Sequence, residues 1–237
     1  MPMKYLAEQE NDLQLMLNIV ADWCWKWRLE ANQEKTQIVH FRQKTKERSP
    51  IVFNFGPIRL SYTDQYKYLG LTLDEHMTFN DAVNGLAQSA GRALGSVINK
   101  GKHCGQLGFN TYTQLYESGV CPVSDYASGV WGFREYASCN NVHHRAIQYF
   151  LGVHKFTPVL AMTGDIGWEP PCIRHKCHMV RLWNRLVTMS DERLTKKVFQ
   201  WDLRGGNSWA NEIRDVFYSN DLFFIFQNRL GFIKSGM

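Results

Sequence analysis

Leu13, Met16, Leu17, Val20, Trp23, Cys24 and Trp27 recur at spacings of three and four. That period places them on one face of an amphipathic helix, with Asn11 as its cap and a charged, polar face opposite. After Asn32 the pattern shifts to short β-prone runs over residues 37–41, 51–55 and 66–73, separated by the polar 43–50 segment and by Gly56-Pro57. Such punctuation predicts a small antiparallel sheet. The helical period returns in Phe79, Val83, Leu86, Ala87, Ala90, Leu94, Val97 and Ile98, with Thr78 and Asp81 as a capping pair.

Residues 101–108 then break the chain. Asn110 caps a further helix carrying Tyr112, Leu115 and Tyr116, which Gly119 and Pro122 stop. Val142, Ile147, Phe150 and Leu151 mark another helix. More are expected over 173–186, 194–201 and 208–218, with Gly205-Gly206 as a breaker before the last. The resulting fold class is α+β, mostly α: one amphipathic helix, a small antiparallel sheet, then a helical bundle. The expected domains are residues 1–76 and 77–237.

Hydrophobic residues make up 44% of the 237 positions, enough to build a core, and the 14% aromatic fraction argues against a disordered chain. The formal charge of +5 favours a polyanionic partner only mildly, so its distribution matters more than its total. Lys35, Arg42, Lys44, Lys46 and Arg48 face a single acid, Glu47, over residues 35–48. Arg174, Lys176, Arg181, Arg185, Arg193, Lys196 and Lys197 face only Asp191 and Glu192 over residues 174–197. Six scattered cysteines and no secretory pattern predict free thiols in a reducing, intracellular setting. The apolar run at 222–226 is far too short to cross a bilayer, which takes about twenty residues.

The order of short motifs adds a resemblance. Asp12-Leu13-Gln14 precedes Trp23-Cys24-Trp25-Lys26-Trp27-Arg28-Leu29, then Asn32-Gln33-Glu34-Lys35-Thr36, then Tyr66-Lys67-Tyr68-Leu69-Gly70. This series resembles the later palm of non-LTR (LINE-type) retrotransposon reverse transcriptases, and similar stretches continue to Leu186 through a thumb-like region. The resemblance implies that residues 1–76 are the end of a palm with a primer-grip-like strand, and that 77–237 form a helical thumb-like domain. Family members carry an aspartate pair, Y-A-D-D, just before the first of these helices. No two aspartates are adjacent anywhere in this chain.

Nucleotidyl transfer uses two carboxylate-held Mg²⁺ ions to activate the attacking hydroxyl and neutralise the leaving group. The expectation is therefore a truncated member, unable to polymerise alone and with no catalytic residue, cofactor or metal site of its own. Mg²⁺ is expected only in an intact family member. It would at most bind RNA or an RNA–DNA duplex, with the missing palm and fingers supplied by another chain. The alternative is a helical interaction protein or a non-functional remnant of a retrotransposon.

The resemblance implies that Lys35 approaches a pyrophosphate and that Tyr68, Leu69 and Gly70 hold a primer end, Gly letting the backbone come close to a sugar-phosphate chain. Lys44, Lys46 and Arg48, on a polar loop, would neutralise phosphates without reading bases. Asp74-Glu75-His76 is rejected as a metal site because neighbouring residues of a strand point apart. Cys172, His175, Cys177 and His178 are rejected because on one helix they fan around more than one face. The aromatic residues of 131–136 and Trp168 are expected to pack cores.

Overall fold

The computed structural model describes residues 10–105, 107–205 and 208–234. The chain divides into two units, residues 1–82 and 83–237, and among the described residues the fold is mostly helical with three small two-stranded sheets.

In the first unit, α1 (Glu10–Lys26) lays Leu17 and Cys24 onto Ile38, Phe53, Phe55 and Leu60, with Leu13, Val20 and Ala21 at the margin. The side chain of Gln14 acts as a strand neighbour to Asn54, donating from Nε2 to its carbonyl (2.9 Å) and accepting its N–H (3.0 Å). Met16, Trp23 and Trp27, expected on the core face, are instead exposed. The surface beneath α1 is built from strands only two residues long, and it covers a narrower stripe of the helix than the apolar spacing suggested. Asn11 lies inside the helix and not at its cap.

The β-prone runs pair in three separate sheets. β1 (Gln37–Ile38) runs parallel to β4 (Ser61–Tyr62). β2 (Asn54–Phe55) pairs antiparallel with β3 (Ile58–Arg59) around Gly56, whose φ of +57° suits the turn. The run at 66–73 is a hairpin, β5 (Gln65–Tyr68) against β6 (Leu71–Asp74), in register from Gln65–Asp74 to Tyr68–Leu71. Asp74 then ties the exit: its carboxylate accepts the N–H groups of His76 (2.7 Å) and Thr78 (3.0 Å) and the Thr78 hydroxyl (2.6 Å). Thr78 and Asp81 accordingly do not act as a pair. Asp81 accepts instead from the Gln65 amide (2.6 Å).

In the second unit the expected helices form. α2 (Asn80–Cys104), whose first turn contains the division between the units, buries Val83, Leu86, Ala87, Ala90 and Leu94. α3 (Phe109–Gly119) is capped by Gly108, with Asn110 inside it. Short α4 (Cys121–Ser124) and α5 (Ser128–Trp131) follow, then α6 (Ala137–Leu151) and α7 (Val159–Ile166), stopped by left-handed Gly152 and Gly167. α8 (Pro171–Thr188), α9 (Leu194–Asp202), α10 (Trp209–Tyr218) and α11 (Phe223–Lys234) complete the chain.

Met179, Trp183 and Leu186 of α8 meet Phe199, Ile213 and Phe217 in one core. Tyr116 of α3 stacks on Trp168 at 4.4 Å, and Trp131 is fully buried, so both indoles carry packing as expected. α5 lies so close on α8 that a Cβ on Gly132 would stand 2.5 Å from the Ser128 carbonyl and 2.8 Å from the His175 Cβ. No described helix is long and apolar enough to cross a membrane.

Candidate nucleic-acid interface

The sequence of the 41–50 loop is polar and would stray into solvent unless something held it. Glu75, at the end of β6, does so. Its carboxylate accepts from Arg42 Nη2 (3.0 Å) and from Arg48 Nη2 (2.6 Å), and Arg48 also pairs with Asp64. The hydrogen bond from Arg48 outweighs burial and holds the Glu75 carboxyl below its ordinary value, while the same bond raises the Arg48 guanidinium. Backbone contacts close the clamp. Arg42 N–H donates to the Glu75 carbonyl (2.8 Å), the Arg42 carbonyl meets His76 Nδ1 (3.0 Å), and Ser49 N–H donates to His40 Nδ1 (3.1 Å). A guanidinium hydrogen bond from Arg42 to the Lys46 carbonyl (2.5 Å) fixes the loop's crest.

Arg48 therefore serves the protein itself, as a partly exposed anchor for the loop. Lys44 and Lys46 stand exposed on the loop it anchors, and no ion pair among the described residues involves either. Lys35 is exposed at the end of a single 3₁₀ turn, Gln33–Lys35, with its N–H on the Asn32 carboxamide (3.0 Å). It enters β1 from the end opposite the loop.

Tyr68, Leu69 and Gly70 form the tip of the β5–β6 hairpin. Leu69 and Gly70 both take positive φ, +47° and +90°, and Leu69 is 71% exposed. The turn stands at the far end of the hairpin from Glu75, with the four residue pairs of the register between them. At roughly 3.3 Å per residue the run from Glu75 back to Gly70 is about 16 Å, or about five base steps of a duplex at ~3.4 Å each. The β5–β6 hairpin thus runs from the Glu75 clamp at the basic loop to the Leu69-Gly70 tip, and Lys35 lies outside it.

The second basic stretch also splits. Arg174 is internal, donating from Nε to Asp125 Oδ2 (2.8 Å), and Asp125 Oδ1 accepts from His175 Nε2 (2.9 Å) and the Ser124 hydroxyl (2.8 Å). Burial alone would raise the Asp125 carboxyl, but the hydrogen bonds from His175 and Arg174 win and hold it well below the usual range. Lys196 is buried too, its ammonium capping α8 through the Leu186 (3.1 Å) and Val187 (2.7 Å) carbonyls. Arg181, Arg185, Arg193 and Lys197 remain exposed.

Charge differs between the units. Residues 1–82 carry 10 Lys and Arg against 11 Asp and Glu; residues 83–237 carry 17 against 11, so the formal excess belongs to the second unit. The local patch at Lys44 and Lys46 is an island on a unit close to neutral.

Two residue clusters weighed in the sequence have structural partners. Asp74, Glu75 and His76 are the hairpin tie and the arginine clamp described above. On α8, His175 faces Asp125 and His178 Nδ1 meets the Ser128 hydroxyl (2.6 Å), whereas Cys177 is exposed. Among the described residues no three His, Cys, Asp or Glu side chains gather as metal ligands. Sequence reading missed Glu75 and Asp64 as partners of Arg48, and Asp125 as a hub. The signal for Asp125 was weak but present: it is the lone acid of residues 118–134 in an otherwise apolar stretch.

Comparison with known proteins decides the ancestry. The chain is 26% identical over 137 residues to the RNA-directed DNA polymerase from mobile element jockey of Drosophila funebris, covering 58% of this chain and 15% of that protein. The probable RNA-directed DNA polymerase from transposon BS of Drosophila melanogaster matches at 24% over 135 residues, 57% of this chain and 15% of its own length. This chain is homologous to the RNA-directed DNA polymerases of LINE-type mobile elements. The Pol polyprotein from the R1 retrotransposable element of Nasonia vitripennis extends the match of this polymerase relative to 196 residues at 26%, 75% of this chain and 56% of that protein. The chain therefore spans only a small part of the Drosophila polymerases it resembles. No family model and no solved structure matches it.

Proposed function

We propose that this polymerase relative holds RNA or an RNA–DNA duplex by its backbone and does not transfer nucleotides by itself. The observation that carries the reading is the two-arginine clamp on Glu75, which fixes the 43–47 loop so that Lys44 and Lys46 project from one end of a hairpin whose other end is the exposed Leu69-Gly70 turn. Lysines on a fixed loop neutralise phosphates and release counterions without reading sequence. A turn with glycine admits close backbone approach. The second unit's excess of Lys and Arg adds attraction of the same kind. The sequence has no adjacent aspartate pair, and the carboxylate-held ions of nucleotidyl transfer would have to be seated by residues outside it.

Fluorescence anisotropy of a labelled RNA–DNA duplex tests this. Binding is expected to weaken steeply between 50 and 200 mM salt, as phosphate-directed binding does. Lys44→Ala/Lys46→Ala is expected to lower affinity alike for unrelated sequences and to reduce the salt slope by about two. A salt-independent affinity, or one untouched by the double variant, overturns the reading. Incorporation of nucleotides by the purified chain with Mg²⁺ overturns its second half.

A further inference from the structure

α1 carries a second apolar stripe that the core does not use. Leu15, Ile19 and Trp23 follow one another at i, i+4 and i+8 and are 60%, 68% and 48% exposed. At about 100° per residue they fall within roughly 80° of one another, on the side of the helix away from Leu17 and Cys24. Single exposed apolar residues are ordinary, but a contiguous helical stripe ending in an indole marks a contact surface. Asp12 and Lys26 lie on the same stripe, one at each end, both exposed, and no ion pair among the described residues involves either.

The order of these residues is symmetric. Asp12 and Lys26 are each seven positions from Ile19, and Leu15 and Trp23 are each four positions from it. Turning a second α1 end for end about Ile19 sets Asp12 against Lys26, Leu15 against Trp23 and Ile19 against itself. Acid meets base at both ends, and Leu15, Ile19 and Trp23 each meet an apolar group. A surface complementary to itself under a two-fold rotation is what an isologous dimer requires. A parallel pairing would set Asp12 on Asp12 and Lys26 on Lys26, and like charges disfavour it.

We propose that α1 is a homodimerisation helix, pairing antiparallel with α1 of a second copy of this chain through Leu15, Ile19 and Trp23, with reciprocal Asp12–Lys26 ion pairs. The contact spans about 14 residues, roughly 21 Å of helix. It is smaller than the interfaces of permanent dimers, so association is expected to be weak and dependent on concentration. Unlike the binding proposed above, it needs no nucleic acid.

Sedimentation equilibrium of the chain at low salt is expected to show monomer and dimer in exchange, with a dissociation constant on the order of 10–100 µM. Ile19→Asp places two carboxylates on the symmetry axis and is expected to leave only monomer. Asp12→Lys and Lys26→Asp are each expected to weaken the dimer about tenfold at low ionic strength, since each turns two attractive pairs repulsive. An equimolar mixture of these two variants restores both pairs in the mixed dimer and is expected to recover the wild-type constant. Far-ultraviolet circular dichroism checks that each variant keeps its helix content. A wild-type chain monomeric near 1 mM, a dimer that survives Ile19→Asp, or a mixture no tighter than its components each overturns the proposal. The last of these would show an apolar contact without the assigned register.

Discussion

Each unit is organised by one carboxylate that gathers basic side chains, and the two carboxylates do opposite work. Glu75 sits at the rim, where Arg42 and Arg48 are partly exposed, and what it holds is a surface loop. Asp125 sits inside, receiving Arg174, the fully buried His175 and Ser124, and what it holds is the join between α5 and α8. An ion pair at the rim adds little stability but sets the position of the groups beside it. A buried one need not add net stability, yet removing one partner leaves the other charged and unsolvated. The first unit thus uses Arg42 and Arg48 to place two lysines, and the second uses Arg174 to keep its core single-valued.

The sharpest way to break this contrast is to remove both carboxylates in turn. Asp125→Ala strands Arg174 in the interior and is expected to cost about 3–5 kcal/mol of the second unit's stability, measured by urea denaturation. A loss below about 1 kcal/mol would place Asp125 with the exposed pairs.

Acid titration separates two buried groups of the second unit, His143 and Asp125, by pH. Burial pushes His143 down to about 4 from its ordinary 6.5, with the Arg174 charge adding to the effect. Its neutral ring is fully buried against the Tyr116 hydroxyl at 2.8 Å. A group whose folded value is lowered gives stability that is present above the unfolded value and is lost as pH falls toward the folded one. The second unit is therefore expected to lose up to about 3 kcal/mol between pH 6.5 and 4. Asp125, held lower still, adds its loss only below about pH 4. His143→Asn is expected to flatten the upper window in denaturation curves taken at each pH. A curve equally steep in the variant would assign that proton to another group.

The smallest expected effect belongs to Glu75→Gln. Global stability should change little, while the 43–47 loop gains mobility, read as faster cleavage at Lys44 and Lys46 by trypsin. Unchanged cleavage would mean that the backbone contacts of Arg42 hold the loop without the carboxylate.

What could be read in the sequence follows the range of the interactions. α2 was legible because its apolar spacing is local and one face serves one core. α1 was half legible: its residues form two apolar stripes, and spacing alone merged Met16, Trp23 and Trp27 with the stripe that is buried. The strands were found, but their partners were not, since the parallel pairing of Gln37 with Ser61 leaves no mark within either run. Lys44 and Lys46 look the same in the sequence as Arg48. Only the fold shows that Arg48 reaches Glu75, 27 positions along the chain, and leaves the lysines outside. α5 and α7 escaped because elements of four and eight residues carry too few apolar repeats to show a period.

The tight seat of α5 on α8 also sets an order of events. Four residues, Ser128–Trp131, cannot persist as a helix alone, because nucleating the first turn costs more than so short a segment returns. They become helical only when Gly129 and Gly132 have α8 to rest on, some forty positions later. During synthesis, the 128–131 turn therefore has nothing to rest on until α8 has been made. The Asp125 hub, whose Arg174 and His175 partners belong to α8, can close only then.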